Sequence, residues 1–174
     1  MTDELLVVRA QLGERAALAE LVARWRMPVW TYVRRMLDVE RADDVSQEVW
    51  LAVVRGLPRL REPGRFVPWL FTIARRSVAD RLRGEYVRER EGLVASDVVV
   101  GDPVEAMVDR AGLVDALSGL PVLEREILVL FYLEDLPVED CAQICQVPVG
   151  TVKSRLNRAR RLLRERLEEK GYRS

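Results

Sequence analysis

Six cationic side chains and no acid lie between Pro148 and Arg164. Apolar residues recur along the same stretch at Val152, Leu156, Ala159 and Leu163, which is the i, i+4, i+7, i+11 spacing of one face of an amphipathic helix. A helix with one apolar face and an otherwise unopposed positive surface suits a groove of DNA, because the phosphates attract it. The chemistry predicted here is therefore non-covalent recognition of DNA.

The residues just before this helix complete a helix-turn-helix pattern. Residues 136–144 read as a short helix and Cys145-Gln146-Val147 as a tight turn, so the basic helix comes second, where a recognition helix belongs. The side chains that avoid the apolar stripe are candidates to face bases or phosphates; they are Thr151, Lys153, Ser154, Asn157 and Arg158. Arg160, Arg161 and Arg164 are either phosphate anchors or solvated charges. A structural helical hairpin is the weaker alternative.

A second cationic stretch runs from Arg59 to Arg83 and holds seven arginines against Glu62 and Asp80. Its aromatic side chains are Phe66, Trp69 and Phe71. Bases flipped out of a duplex need aromatic or polar pockets beside cationic contacts to the backbone, so the pattern fits opened DNA. The alternative for Trp69 is a place in the core, because its spacing fits the buried face of a helix.

A third group of residues lies on one side of a predicted helix over residues 42–55. Asp44, Gln47, Glu48 and Leu51 follow the i, i+3, i+4, i+7 spacing and share a face, whereas Val45 and Val49 share another. Taken alone, these residues predict only a solvated acidic face.

Composition limits the remaining classes. The chain has 174 residues and a formal net charge of zero. Residues 91–140 hold twelve acids and only two bases, Arg110 and Arg125, so the zero is the sum of an acidic block and basic flanking segments. No long apolar run or signal peptide is visible, which favours a cytoplasmic protein and predicts no membrane insertion. The chain has no His, and Cys141 and Cys145 alone cannot complete a zinc shell, so two free thiols, no metal and no cofactor are expected.

The periodicity predicts an all-α chain of two small helical domains joined by a flexible acidic linker. The predicted bounds are residues 1–90, 91–103 and 104–174. In the first domain we expect helices over residues 3–36 with breaks near Gly13 and Pro28, then over 42–55 and from Phe66 to Arg83. In the second we expect helices over 104–117, 122–133, 137–144 and 148–167.

In their order and spacing, these motifs resemble the bacterial sigma factors of RNA polymerase, in the compact extracytoplasmic-function (ECF) group. Residues 44–50 look like region 2.2, residues 65–83 like regions 2.3 and 2.4, residues 117–126 like region 4.1 and residues 147–155 like region 4.2. The resemblance covers nearly the whole chain. It implies a non-enzymatic specificity subunit that binds core polymerase and directs it to promoters.

The resemblance also implies roles for particular residues. Contact with the beta-prime clamp helices would come from Asp44, Gln47, Glu48 and Leu51. Binding and opening of the minus-ten element would involve Arg59, Arg61, Arg65, Phe66, Arg75, Arg76, Asp80 and Arg83. The minus-thirty-five element would be read by Thr151, Lys153, Ser154, Arg155, Asn157, Arg158 and Arg161. Further implied partners are the polymerase beta flap, promoter DNA and, as a candidate, an anti-sigma factor.

The sequence departs from the family pattern at two places. Arg76 stands where relatives usually have Asn, which bears on minus-ten preference, and Gln146 stands where they often have Gly. The main alternative function is a stand-alone helix-turn-helix regulator with a helical sensing or dimerisation domain. An enzyme is disfavoured, because no phosphate-binding glycine loop or metal-ligand cluster is visible.

Overall fold

The computed structural model describes residues 1–90 and 108–171. These residues form helices and turns and contain no strand, which confirms the all-α prediction. The chain divides into two compact units, Met1–Ser96 and Asp97–Ser174. The predicted linker over residues 91–103 and the predicted start of the next helix at Val104 lie outside the described residues.

Residues 1–90, the described part of the N-terminal unit, form four α-helices. They are α1 (Asp3–Gln11), α2 (Arg15–Met36), α3 (Val39–Gly56) and α4 (Phe66–Arg90). Two short 3-10 turns, Leu57–Arg59 and Pro63–Arg65, connect α3 to α4. The predicted basic loop is therefore largely built of tight turns, which limits its freedom.

Apolar side chains from all four helices meet in one core. The ring of Phe71 on α4 lies edge-on to that of Tyr32 on α2, with centroids 5.7 Å apart, and edge-on to that of Trp25 at 6.2 Å. The fully buried large side chains of this core include Leu6, Val7, Leu21, Val29, Tyr32, Val33, Val45, Val49, Val53, Phe66, Leu70 and Phe71. Burial on this scale, about 2 kcal/mol for each large apolar side chain, holds the helices together.

The prediction of a break at Pro28 was wrong, because α2 continues through that residue. Proline cannot donate to the carbonyl one turn earlier, and this costs about 3 kcal/mol in an isolated helix. Here Leu21 before it and Val29 and Val33 after it are all buried against the core, so packing holds both halves in line. The break near Gly13 is confirmed, and Gly13 has a φ of 91°.

Helix α3 begins earlier than expected. The predicted start was Ala42, but the side chain of Asp38 accepts a hydrogen bond from the Arg41 N–H at 2.9 Å and caps the helix there. An Asp at this position satisfies a backbone donor that would otherwise lack a partner. The predicted end near Gly56 is confirmed, and α4 continues past Gly84 to Arg90.

The described residues of the C-terminal unit, 108–171, also form four α-helices. They are α5 (Val108–Ser118), α6 (Val122–Leu128), α7 (Val138–Cys145) and α8 (Val149–Glu169). A π-helical turn, Val129–Leu133, extends α6, where the sequence had suggested one continuous helix. Pro121, Pro137 and Pro148 each stand immediately before the first residue of a helix.

Helix α8 packs against α6, α7 and α5, so the basic helix is the central packing element of this unit. Its buried residues are Val152, Leu156 and Ala159, which confirms three positions of the predicted apolar stripe, whereas Leu163 at the end of the stripe is half-buried. Two acids, Glu124 and Glu126, are also buried in this unit.

Candidate nucleic-acid interface

The surface of α8 away from its buried stripe is polar and cationic. Lys153, Ser154, Asn157, Arg158 and Arg161 are exposed, and Thr151 and Arg155 are half-buried. The Ser154 hydroxyl donates to the Thr151 carbonyl at 3.0 Å, which leaves its lone pairs available as acceptors. All seven predicted upstream-element residues thus belong to one helix, and five of them have freely accessible side chains.

One of these cations has a partner inside the unit. Nε of Arg158 lies 3.2 Å from Oε1 of Glu124 on α6, and the two side chains are 62% and 9% exposed. Arg161 forms a looser pair with Glu165 one turn along α8, at 3.8 Å. The buried carboxylate of Glu124 therefore contacts the guanidinium of Arg158 at its Nε atom. Arg161, in contrast, pairs only with another exposed side chain.

The turn that aims α8 has the geometry of a Schellman motif. Gln146 is left-handed, with φ 56° and ψ 45°. The Val147 N–H donates to the Ala142 carbonyl at 3.0 Å, and the Gln146 N–H donates to that of Gln143 at 3.2 Å. Gln146 therefore adopts a positive φ at the position where relatives often have Gly.

Gly150, the second residue of α8, is exposed. No heavy atom in the described part of the chain, outside its own helix and chain neighbours, lies within 4 Å of where a Cβ would stand. The beginning of α8 therefore presents bare backbone.

The 3-10 turns of the N-terminal unit carry the second cationic surface. Arg59, Arg61 and Arg65 are all exposed. The side-chain amide of Gln11, the last residue of α1, donates to the carbonyls of Leu57 and Leu60 at 2.9 and 2.8 Å. Sequence analysis missed Gln11, since nothing local in the sequence marks a contact with residues more than 40 positions away.

Helix α4 continues this surface. Arg76 is exposed, Arg75 is half-buried, and Asp80 forms an exposed ion pair with Arg83. Phe66 is only 1% exposed, so its ring belongs to the core beneath the loop.

Trp69 has an intermediate position. It is half-buried, and its ring contacts Phe66 at a centroid distance of 6.0 Å. A Cβ at Gly56 would stand 2.9 Å from the Trp69 ring, so glycine there allows the indole to cover the end of α3.

The predicted polymerase-binding residues share an exposed face of α3. Asp44, Gln47 and Glu48 are exposed, and Leu51 is 55% exposed although it is apolar. Nη2 of Arg81 on α4 lies 3.0 Å from Oε1 of Glu48, which links this face to the cationic helix.

Three described ionisable side chains of the C-terminal unit have shifted pKa values, and burial lowers the pKa of the Arg125 guanidinium. Burial raises the pKa of the Glu134 carboxyl to about 8, and its Oε1 atom is buried without a hydrogen-bond partner among the residues described. Burial likewise raises the pKa of the Cys141 thiol to about 12, with a smaller contribution from the nearby charge of Asp140.

Within residues 1–90 and 108–171, no cluster of three or more His, Cys, Asp or Glu side chains could hold a metal ion. Nor does any helix of that part of the chain have the length and apolar character needed to cross a membrane.

Two family models match the chain, sigma-70 region 2 over residues 21–86 and sigma-70 region 4 over residues 110–163. The ECF RNA polymerase sigma factor SigC of Mycobacterium tuberculosis is 33% identical over 158 residues, which cover 89% of this chain and 85% of SigC. The chain belongs to the ECF group of the sigma-70 family.

Solved structures agree with this assignment. The sigma factor RpoE of Bartonella quintana, solved in complex with the anti-sigma factor NepR, superposes with a TM-score of 0.75 at 25% identity. The alignment covers 87% of this chain and 96% of RpoE. CnrH, solved in complex with the cytosolic domain of CnrY, superposes with a TM-score of 0.73 at 26% identity. The alignment covers 96% of this chain and 97% of the CnrH chain.

As a sigma factor, the chain directs RNA polymerase to promoters in transcription initiation. Family membership decides against the stand-alone regulator, because both units match sigma-70 regions and a separate sensing domain has no place among the matched residues.

Proposed function

We propose that the two units of this sigma factor divide promoter recognition between them. The unit over residues 1–90 binds core polymerase and opens the minus-ten element, and the unit over residues 104–174 holds the minus-thirty-five element. The observation that carries this division is the presence of a separate exposed cationic surface in each unit, with acids concentrated between them in the sequence.

For upstream recognition, the exposed side chains of α8 would enter the major groove. Arginine can contact guanine with two hydrogen bonds, whereas Ser154 and Thr151 more often fix the phosphate backbone. The full set proposed to contact this element is Thr151, Lys153, Ser154, Arg155, Asn157, Arg158 and Arg161.

For the minus-ten element, the loop cations Arg59, Arg61 and Arg65 would contact the backbone of opened DNA, with Arg75, Arg76, Asp80 and Arg83 along α4. Phe66 would act by supporting the loop from the core, since its ring is buried. Arg76 adds a full positive charge where relatives usually have Asn, so it is proposed to alter minus-ten preference.

For polymerase binding, the α3 face of Asp44, Gln47, Glu48 and Leu51 would contact the beta-prime clamp helices. Leu51 is 55% exposed, and binding of the clamp helices to this face would remove its apolar side chain from water. The C-terminal unit would contact the beta flap. The chain would act in the cytoplasm, and an anti-sigma factor is a candidate partner because RpoE and CnrH were solved with partners of their own.

The test is transcription with purified components. The chain is mixed with bacterial core polymerase, and run-off transcription on genomic fragments identifies the promoters it serves. We expect promoter-dependent transcripts and co-elution with core polymerase. A chain that does not bind core polymerase would overturn the proposal.

Matched variants separate the proposed contacts. Leu51→Arg should weaken polymerase binding at least about tenfold, whereas Val39→Arg, also at an exposed apolar residue of α3 but on another face, should not. Lys153→Ala should reduce the salt slope of binding to upstream duplex by about one, whereas Arg26→Ala, which removes an exposed cation of the other unit, should leave it unchanged.

A further inference from the structure

One side chain joins the first helix of the chain to the cationic loop. Gln11 Nε2 lies 2.9 Å from the Leu57 carbonyl and 2.8 Å from the Leu60 carbonyl, so both N–H groups of the amide have an acceptor. These two carbonyls bracket Pro58 and Arg59. The amide therefore closes the first 3-10 turn from outside.

The backbone of the loop supplies part of this closure. The Leu60 N–H donates to the Leu57 carbonyl at 3.1 Å in the first turn, and the Arg65 N–H donates to the Glu62 carbonyl at 2.9 Å in the second. Pro58 and Pro63 have no N–H to donate. Short 3-10 turns have poorer hydrogen-bond geometry than an α-helix, so contacts from elsewhere help to keep the loop in one conformation.

Helix α1 is a firm base for such a contact. Leu6 and Val7 are completely buried in the core of the N-terminal unit. The helix packs against both 3-10 turns, and the Glu4 carboxylate lies beside Gly64 in the second. Gln11 thus links the packed helix α1 to the Leu57–Leu60 turn, whose neighbouring cations Arg59 and Arg61 are exposed.

We propose that Gln11 is a positioning residue for promoter opening, which fixes the Leu57–Leu60 turn in the conformation that binds the minus-ten element. This inference rests on the function proposed above for the loop. A loop ordered before binding loses less conformational entropy on capturing DNA, so its cations bind more tightly and discriminate better among sequences.

Three variants and a control test the proposal. Gln11→Met and Gln11→Glu remove the two donors at similar side-chain length, whereas Gln11→Lys retains donors that can reach both carbonyls. Glu14→Gln is the control, because it breaks an ion pair with Arg9 at the same end of α1 without touching the loop. Thermal unfolding identifies any variant that is globally destabilised.

The first readout is amide hydrogen exchange of the full-length chain, followed over residues 57–65. Loss of two hydrogen bonds should speed exchange there about tenfold in the Met and Glu variants, with little change in the Lys variant and in Glu14→Gln. Unchanged exchange in the Met and Glu variants would overturn the inference.

The second readout is promoter opening by holoenzyme, measured by permanganate reactivity on a promoter recovered with the wild-type chain. We expect about tenfold slower opening and weaker discrimination against minus-ten substitutions for the Met and Glu variants, partial rescue by Lys, and unchanged affinity for upstream duplex. Faster exchange with normal opening and discrimination would overturn the positioning role. Failure of the wild-type chain to form holoenzyme would instead overturn the underlying function.

Discussion

The Glu124 carboxylate, 9% exposed, lies 3.2 Å from Nε of Arg158, whose side chain is 62% exposed. The pair joins α6 to the face of α8 that is proposed to read DNA. With 62% of its side chain exposed, Arg158 also remains accessible from solvent. Arg158 therefore belongs both to the packing of this unit and to the surface proposed to contact DNA.

We expect Arg158→Ala to weaken both upstream-duplex binding and the C-terminal unit itself. Removing the cation leaves a buried carboxylate without its partner, which costs about 1 kcal/mol after allowance for the exposure of Arg158. Adding Glu124→Gln should restore most of this stability but not the DNA affinity. Urea unfolding and duplex titration of the two single variants and the double variant separate the effects.

Arg160→Ala is the matched control, since Arg160 is exposed on the same helix. It should change the free energy of unfolding by less than about 0.5 kcal/mol. Equal destabilisation by Arg158→Ala and Arg160→Ala would show that the pair with Glu124 contributes nothing to the fold.

Stability should fall as pH rises from about 5 to about 8.5, because of Glu134. Its pKa in the folded chain is about 8, above the ordinary value of 4.5, so the folded state binds this proton more tightly than the unfolded state. The resulting stabilisation is complete below the unfolded pKa and is lost as pH passes through 8. The chain has no His, so few other side chains titrate in this range.

Glu134→Gln should remove this pH dependence and raise the free energy of unfolding at pH 8.5 by about 1–2 kcal/mol, discounted for the partial exposure of the carboxyl. Urea unfolding at pH 5 and pH 8.5 measures both quantities. Glu139→Gln, at an exposed site on α7, should preserve the wild-type profile. A flat profile in the wild-type chain would contradict the burial argument.

Both cysteines should resist thiol reagents in the folded chain. Cys141 and Cys145 are buried, and the raised pKa of Cys141 leaves almost no thiolate at neutral pH. We expect Ellman's reagent to react at least about 100-fold more slowly with the native chain than with the chain in guanidinium. Rapid native labelling, or loss of promoter binding after mild peroxide treatment, would instead indicate a redox function.

Gln146→Gly should stabilise the C-terminal unit by about 0.5–1 kcal/mol, because a left-handed conformation is strained for any side chain with a Cβ. The greater freedom of glycine in the unfolded chain offsets part of the gain. Gln143→Gly, inside α7, should have the opposite sign and cost about 1 kcal/mol. Thermal unfolding of the two variants compares them, and destabilisation by Gln146→Gly would contradict the geometry of the turn.

Most helices were predictable because their signals are local. The apolar period of α8 and the turn residues before it lie within about 25 consecutive positions, and both were confirmed. The N-cap role of Asp38 was missed although its signal is local. The predicted start of α3 was set by the apolar period, which becomes regular only several residues after Asp38. The predicted break at Pro28 was wrong because the burial of apolar side chains on both sides of the proline outweighs the backbone hydrogen bond that it cannot make.

The contacts that organise the candidate surfaces were not predictable in this way. Gln11 meets carbonyls 46 and 49 positions away, and Glu124 meets a cation on another helix. In the sequence, Gln11 is a polar residue at a helix end and Glu124 one acid among many. Only the packing of α1 and α6 shows that each is adjacent to a cationic surface.

Gly150 leaves room for a side chain on the exposed surface at the start of α8. A side chain added there meets no neighbour in the described structure, and almost any residue other than proline favours a helix more than glycine does. If α8 enters the groove as proposed, a single substitution at this position would add a DNA contact at little cost to folding. Promoter choice would then be open to change at one residue whose side chain the fold does not need.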